Sequence, residues 1–308
     1  MSIGPDSTIG FVGVGSMGGP MARNLLRAGA PLLVMDRAAE RVAPLLNEGA
    51  RQVTSVTGFS EAAAVCVSLP GPTEVEALCL GEGGLLEQMR PDAALVNLST
   101  ISLESCRKLD RAASSRKVAF VDAPVTGAAD GARDGTLVLM VGASPEAFAL
   151  VRPIFEVIGK QAHLVGMPPA GTATKLLTNM LWFIHVVALS EALALGRATG
   201  VDPEVLARVI PQSAGGSWVA EHDLANLLAG DDDTSFTLAL CCKDLRLISE
   251  LASEVAYGAS LATVARSWFE RALESYGPHA GELAVARLVE EDARVSIRAP
   301  RGQEAPPR

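Results

Sequence analysis

The chain has 308 residues, 49% hydrophobic and 20% charged, which is too apolar for a disordered polypeptide and long enough for about two domains with sizeable cores. A formal charge of −9, the lack of any Lys/Arg-rich run and an aromatic content of 4% exclude an electrostatic nucleic-acid binder and leave few platforms for stacking bases. The five cysteines are odd in number, form no CxxC and include the neighbours Cys241 and Cys242, so they read as reduced thiols of a cytoplasmic protein. No signal-peptide pattern is expected in residues 1–8.

In chain order, short apolar runs predict strands over 8–14, 31–35, 64–69, 93–98, 118–121, 136–141 and 162–165. Segments with helical spacing lie between most of them, at 17–28, 38–48 and 103–114. Strands alternating with helices imply βαβ units and a parallel sheet. After Gly166-Met167-Pro168-Pro169 no strand is read. Helical stretches follow over 172–199, 203–210, 217–229, 238–256 and 261–276. Asp202-Pro203-Glu204 opens one of them with an N-cap, a proline in the first helical position and an early acid. A domain boundary is therefore expected near Pro168, giving domains over 1–167 and 168–293. The Arg/Pro-rich segment 294–308 has no apolar period and is expected to be disordered. Residues 176–195 are apolar, yet Asn179, His185 and Glu191 lie among them, which fits a buried helix better than a membrane span.

Gly13-Val14-Gly15-Ser16-Met17-Gly18 is a GxGxxG that follows an apolar strand and opens a helical segment. In that setting Gly13 permits a tight turn, Gly15 lets backbone N–H groups approach a pyrophosphate, and Gly18 permits close helix–strand packing. The helix N-terminus adds positive potential. Asp36 stands 18 residues beyond Gly18, at the end of the second strand, where an acid bonds ribose hydroxyls. It would repel a 2′-phosphate and so favours NAD. The adjacent Arg37 could stack on adenine or pair with a phosphate, which keeps NADP open. The expected fold class is α/β, an N-terminal Rossmann doubly wound parallel sheet followed by an all-α C-terminal domain.

Four motifs then run in order along the chain. The glycine motif extends through Gly19-Pro20-Met21-Ala22-Arg23-Asn24-Leu25. Asp122-Ala123-Pro124-Val125-Thr126-Gly127 continues to Gly131-Ala132, Gly135-Thr136-Leu137 and Met140-Val141-Gly142. Gly171-Thr172-Ala173-Thr174-Lys175 is followed by Asn179, and the last motif is Lys243-Asp244-Leu245. Together they resemble the β-hydroxyacid dehydrogenase family, which includes 3-hydroxyisobutyrate dehydrogenase and tartronate semialdehyde reductase. The resemblance implies that the second motif binds substrate, that the third is catalytic, and that Lys243 lies near the cofactor. It also implies that Leu69-Pro70 and Ser99-Thr100 line the nicotinamide side. The chain departs from the family's usual Ser-Gly-Gly with Thr126-Gly127-Ala128, each change adding a methyl beside the expected carboxylate site. Gly277-Pro278-His279-Ala280-Gly281-Glu282 also lacks the Gly/Asp pattern expected there.

Lys175 and Asn179, at i and i+4, share one helix face. A lysine desolvated by its neighbours can take the hydroxyl proton as hydride leaves the substrate carbon. Leu176-Leu177 and Met180-Leu181-Trp182 are expected to supply that desolvation, with Asn179 holding the amine or the substrate. Thr126 and the backbone N–H groups of Gly127 and Ala128 suit a substrate carboxylate. Trp218 is expected either to wall the pocket or to pack in the core; for Phe236 core packing is preferred. Lys243 is expected at the cofactor rather than in a surface salt bridge with Asp244. The four histidines show no metal-ligand spacing, so no metal is expected.

The expectation is thus a cytoplasmic NAD(P)-dependent oxidoreductase interconverting a small 3-hydroxy acid and its semialdehyde or keto acid. Its partners would be a small carboxylate substrate and, as the resemblance implies, further copies of itself through the C-terminal helices, with no nucleic acid or membrane. The alternatives are an imine reductase-like enzyme on the same fold, from which Lys175 argues away, and a non-catalytic dehydrogenase-like binding protein.

Overall fold

Nine strands form one sheet in the computed structural model, which describes Ile3, Gly4 and residues 6–298. The strands are β1 (Ile9–Val12), β2 (Leu32–Met35), β3 (Arg51–Gln52), β4 (Ala64–Val67), β5 (Ala94–Asn97), β6 (Ala119–Asp122), β7 (Val125–Thr126), β8 (Leu137–Gly142) and β9 (Gly159–Gly166). Helices α1 (Gly18–Arg27), α2 (Ala39–Asn47), α3 (Pro72–Leu80), α4 (Leu85–Gln88), α5 (Leu103–Ser115), α6 (Ala128–Asp134) and α7 (Pro145–Ile158) alternate with them. The order is β3-β2-β1-β4-β5-β6-β8-β7, with β9 on the other edge of β8. Strands β1 to β6 pair in parallel. The expected doubly wound parallel sheet is present, and β8 adds an antiparallel pairing with β6 and β7 at its far side. Only residues 127–136, with α6 among them, join β7 to β8, too short a link for a parallel crossover.

Both faces of the sheet are covered, which is why its strands read as unbroken apolar runs. Phe11, Val34, Cys66 and Val96 pack on one side with Met21, Leu25 and Phe155. Their neighbours Val12, Leu33, Val65 and Leu95 pack on the other with Phe59, Leu85 and Leu109. Helix α1 buries Gly18, Met21, Ala22 and Leu25, an i, i+3, i+4, i+7 stripe. Ser102 and Ser144 cap α5 and α7 by accepting from the N–H groups of Ser105 and Ala147.

The remaining helices are α8 (Ala170–Ala198), α9 (Pro203–Val209), α10 (Trp218–His222), α11 (Leu224–Ala229), α12 (Leu238–Glu254), α13 (Ser260–Tyr276) and α14 (Val285–Ala293). Two compact units divide between Leu177 and Thr178, inside α8. In the second unit Phe183 of α8 meets Phe269 of α13 edge-to-face at 5.0 Å. The expected helix over 217–229 is two helices. Asp223 ends α10 and turns its carboxylate to the Trp182 indole N–H at 3.0 Å. By length and composition α8 could cross a bilayer, and 39% of its most apolar window is buried.

All five cysteines are free and buried. Burial pushes the Cys66 and Cys79 thiols up to about 12 and Cys242 to about 11. Within the expected disordered tail, Ile297 is buried and Val295 and Arg298 half-buried, while Arg294 and Ser296 are exposed. Ile297 is 1% exposed and Glu290 accepts both the Ile297 N–H and the Arg298 guanidinium. Residues 299–308 lie outside the described residues.

Candidate active site

Parallel strands aim their carboxyl ends at one edge of the sheet, and β1 marks a switch point there, with β2 on one side and β4 on the other. The glycine-rich turn follows β1 at this point. Gly13 has φ +84°, and a Cβ on it would overlap the Ser68 carbonyl; one on Gly18 would overlap the Gly13 carbonyl. Neither position admits a side chain, whereas a Cβ on Gly15 would meet only Arg41 Nη1 at 3.4 Å and that residue's Cζ at 3.9 Å. The turn is therefore open toward solvent at Gly15 and closed toward the sheet at Gly13 and Gly18, which fits a backbone cradle for a dinucleotide pyrophosphate. Val14 is buried, Ser16 is exposed and Met17 is half-buried.

Asp36 Oδ2 accepts the Val14 N–H at 2.9 Å and its Oδ1 accepts the Ala38 N–H at 2.9 Å. This carboxylate ties the end of β2 to the glycine turn. Arg37 is exposed. Arg41, in the first turn of α2, places its guanidinium beside Gly15; because Arg37 precedes the helix, no sequence spacing links the two arginines.

The loops after β4 and β5 are joined by Ser99, which accepts the Leu69 N–H at 2.9 Å and donates to the Val67 carbonyl at 3.3 Å. Ser99 is in turn fixed by Asn97. Pro70 is exposed and Thr100 half-buried along the same edge.

At the end of β6, Asp122 is 0% exposed. Its Oδ2 accepts the Thr172 N–H at 2.7 Å and its Oδ1 accepts the Thr172 hydroxyl at 2.6 Å. Burial pushes the Asp122 carboxyl up to about 6, with the Thr172 bonds pulling the other way. Thr126 and Gly127 are half-buried, and Ala128 is exposed. Gly127 has φ +126° and Ala128 φ +54°, two consecutive positive values that turn the backbone. Lys175 is half-buried, three residues beyond Thr172 in α8. Its expected apolar cover is corrected in part. Leu176 is buried, but Leu177 and Leu181 are about half exposed, because a run of adjacent residues points to all sides of a helix.

In the second unit Asn179 donates through Nδ2 to Asp244 Oδ2 at 2.7 Å. Lys243 Nζ lies 2.7 Å from the other oxygen, Oδ1, an ion pair without hydrogen-bond alignment. The Lys243 and Asp244 side chains are 16% and 2% exposed, so this is no surface salt bridge. Asp244 is read from sequence only as part of the Lys243 motif and as a possible surface partner of Lys243. It falls on the buried stripe Cys241, Leu245 and Ile248 of α12, and an acid on such a stripe signals a paired carboxylate. Trp218 is 50% exposed and stacked on His222 at 4.2 Å, so it is not a core residue. Phe236 is half-buried.

Comparison with known proteins follows the same lines. Residues 8–166 match the family described as the NAD binding domain of 6-phosphogluconate dehydrogenase. Residues 169–289 match the NAD-binding family of NADP-dependent 3-hydroxyisobutyrate dehydrogenase. The chain is 38% identical over 285 residues to a 3-hydroxyisobutyrate dehydrogenase of Pseudomonas aeruginosa, covering 89% of this chain and 94% of that one. It is 37% identical over 274 residues to an NAD-dependent L-serine dehydrogenase of the same organism, covering 86% and 92%. Among solved structures, a Mycobacterium tuberculosis 3-hydroxyisobutyrate dehydrogenase with L-serine superposes with a TM-score of 0.84 at 27% identity, covering 92% of this chain and 99% of that one.

Proposed function

The chain belongs to the β-hydroxyacid dehydrogenase family, NAD(P)-dependent oxidoreductases of small hydroxy acids, and from that membership we propose that it oxidises a 3-hydroxy acid reversibly at its terminal carbinol. The observation that carries this reading is the carboxyl edge of the sheet. There the closed glycine turn, Asp36, the joined loops at Leu69 and Ser99, and Asp122 with the first turn of α8 follow one another on adjacent strands.

The dinucleotide, when bound, supplies the hydride acceptor or donor. The Gly13-Val14-Gly15-Ser16-Met17-Gly18 turn holds its pyrophosphate, with the Arg41 guanidinium beside Gly15 as a further positive charge. Asp36 holds the ribose and favours NAD, since its carboxylate is already fixed toward the turn by Val14 and Ala38. Arg37 flanks the adenosine, and Leu69, Pro70 and Thr100 line the nicotinamide side. Thr126 and the N–H groups of Gly127 and Ala128 hold the substrate carboxylate.

Lys175 takes the hydroxyl proton at Nζ as the carbon–hydrogen bond breaks, and returns it in the reverse direction. Asn179 holds the amine or the substrate, half-exposed Trp218 is a candidate pocket wall, and Lys243 serves the cofactor. The two named Pseudomonas relatives act, by their names, on 3-hydroxyisobutyrate and L-serine. Both compounds carry a hydroxymethyl group on the carbon bearing the carboxylate, and a substrate of that class fits here. A cytoplasmic homo-oligomer, free of nucleic acid and membrane, completes the proposal. Exposed Leu181, Leu195, Val205 and Val209 support assembly through the helices of the second unit.

The test is reduction of NAD and NADP across 2-substituted 3-hydroxypropionates, with Lys175→Ala alongside. Turnover that the variant lowers at least about a hundredfold to a measurable residual rate, with dinucleotide binding intact, supports the assignment. Wild-type turnover in Lys175→Ala removes it.

A further inference from the structure

On the reading that Lys175 moves the proton, we propose that Asp122 is a positioning residue: it caps α8 from the end of β6 and thereby sets where Lys175 stands relative to the Thr126-Gly127-Ala128 turn.

The first N–H groups of an α-helix have no partner within the helix. In α8 the Ala170 N–H returns to the Met167 carbonyl and the Ala173 N–H to the Pro169 carbonyl. The Thr172 N–H goes instead to Asp122, fifty residues earlier in the chain, and the Thr172 hydroxyl takes the second carboxylate oxygen. Both oxygens thus engage Thr172, three positions before Lys175, and the Gly171 N–H and the Cys106 thiol hydrogen-bond the same carboxylate. Asp122 and Thr172 are each 0% exposed, so water does not compete for these bonds.

Two glycines make the approach possible. A Cβ on Gly171 would overlap the Asp122 carbonyl, and one on Gly142 would lie 2.8 Å from the Gly171 nitrogen and 3.2 Å from Asp122 Oδ2. Strand β8 then acts as a ruler. Its Gly142 pairs with Asp122, and its Val138 pairs with Thr126. The carboxylate-binding turn and the start of α8 are therefore measured from the same strand, and Asp122 is the side chain that fixes the helix to it. The Cys106 thiol of α5 is the other titratable group against Asp122. Burial raises it, so it stays protonated and brings no charge.

The experiment uses the intact enzyme and follows single-turnover hydride transfer and dinucleotide Kd in Asp122→Ala, Asp122→Asn and Thr172→Val, with Asp122→Ala also made in the Lys175→Ala background. Asp122→Ala is expected to slow transfer at least about tenfold while the dinucleotide Kd, set at the glycine turn, stays within about twofold. Asp122→Asn recovers most of that loss, because its amide oxygen accepts the Thr172 N–H and its amide nitrogen donates to the Thr172 hydroxyl. In the Lys175→Ala background Asp122→Ala adds no further loss. A folded Asp122→Ala at the wild-type rate overturns the proposal, as does an additive loss in the double variant or an Asp122→Asn as slow as Asp122→Ala. Should Asp122→Ala not fold, Thr172→Val decides, since it removes one bond at constant shape. A several-fold slower transfer at unchanged Kd supports the proposal, and a wild-type rate overturns it. Full turnover in Lys175→Ala alone would refute the underlying functional reading, and that result is scored separately.

Discussion

Asn179 donates to one oxygen of Asp244 while Lys243 pairs with the other, so a single buried carboxylate holds two of the polar groups assigned to function. Removing it leaves a largely buried ammonium and an amide without their shared partner. Asp244→Ala should cost about 3 kcal/mol of stability, read as a lower urea midpoint at unchanged slope, since breaking a buried pair is far costlier than losing a surface one. It should also depress kcat more than tenfold, by about 1.4 kcal/mol or more in barrier. An unchanged urea midpoint would refute the buried-pair account.

Ala128 occupies φ +54°, a region that L residues enter only at a cost. Ala128→Gly should therefore stabilise the chain by about 0.5–1 kcal/mol, the relieved strain exceeding the added freedom of the unfolded glycine. It also removes a methyl beside the turn proposed to bind the substrate carboxylate. The variant should accept bulkier 2-substituted acids, visible as a broadened substrate profile; an unchanged profile separates the turn from substrate selection.

Asp36 bonds the backbone of the glycine turn with both oxygens. Asp36→Asn removes the charge that excludes a 2′-phosphate and leaves one oxygen to accept. The ratio of kcat/KM for NADP to that for NAD should rise at least about tenfold, a change of roughly 1.4 kcal/mol. Steady-state assays with both dinucleotides measure it, and an unmoved ratio would place cofactor choice at Arg37 and Arg41 instead.

Burial raises the Asp122 and Asp223 carboxyls to about 6, above the ordinary value of 3.8. The native state then binds these protons more tightly than the unfolded chain. Their contribution to stability is fully present below pH about 4 and is lost as pH rises through about 6, by up to roughly 3 kcal/mol each. Above that window it is flat. Asp223→Asn should flatten the slope of stability between pH 4 and 6 while leaving it unchanged at pH 7 to 8, as followed by denaturant melts. A slope equal to that of the wild type would show that Asp223 does not titrate there.

The glycine turn, the strands of the parallel sheet and the capped helices were legible because each rests on residues within one turn or one strand of each other. Asp202-Pro203-Glu204 and Gly13 to Gly18 carry their physics locally. Strands β3 and β7 have two residues each, too short for any period. The break at Asp223 carries no glycine or proline; it comes from the Trp182 indole, which is distant in sequence. The Asp122–Thr172 bonds likewise exist only once β6 and β8 are neighbours, and the packing of Ile297 depends on Glu290 turning back to meet it. Pairings set by topology left no mark in spacing.

The five interior cysteines turn the protein into its own opening clock. Cys66, Cys79 and Cys106 belong to the first unit and Cys241 and Cys242 to the second. An alkylating reagent finds no accessible thiolate in the folded chain, so each added mass records an excursion that exposed the sulfur. Peptide mapping of three labels against two then times the breathing of each unit separately, in one tube and without denaturant.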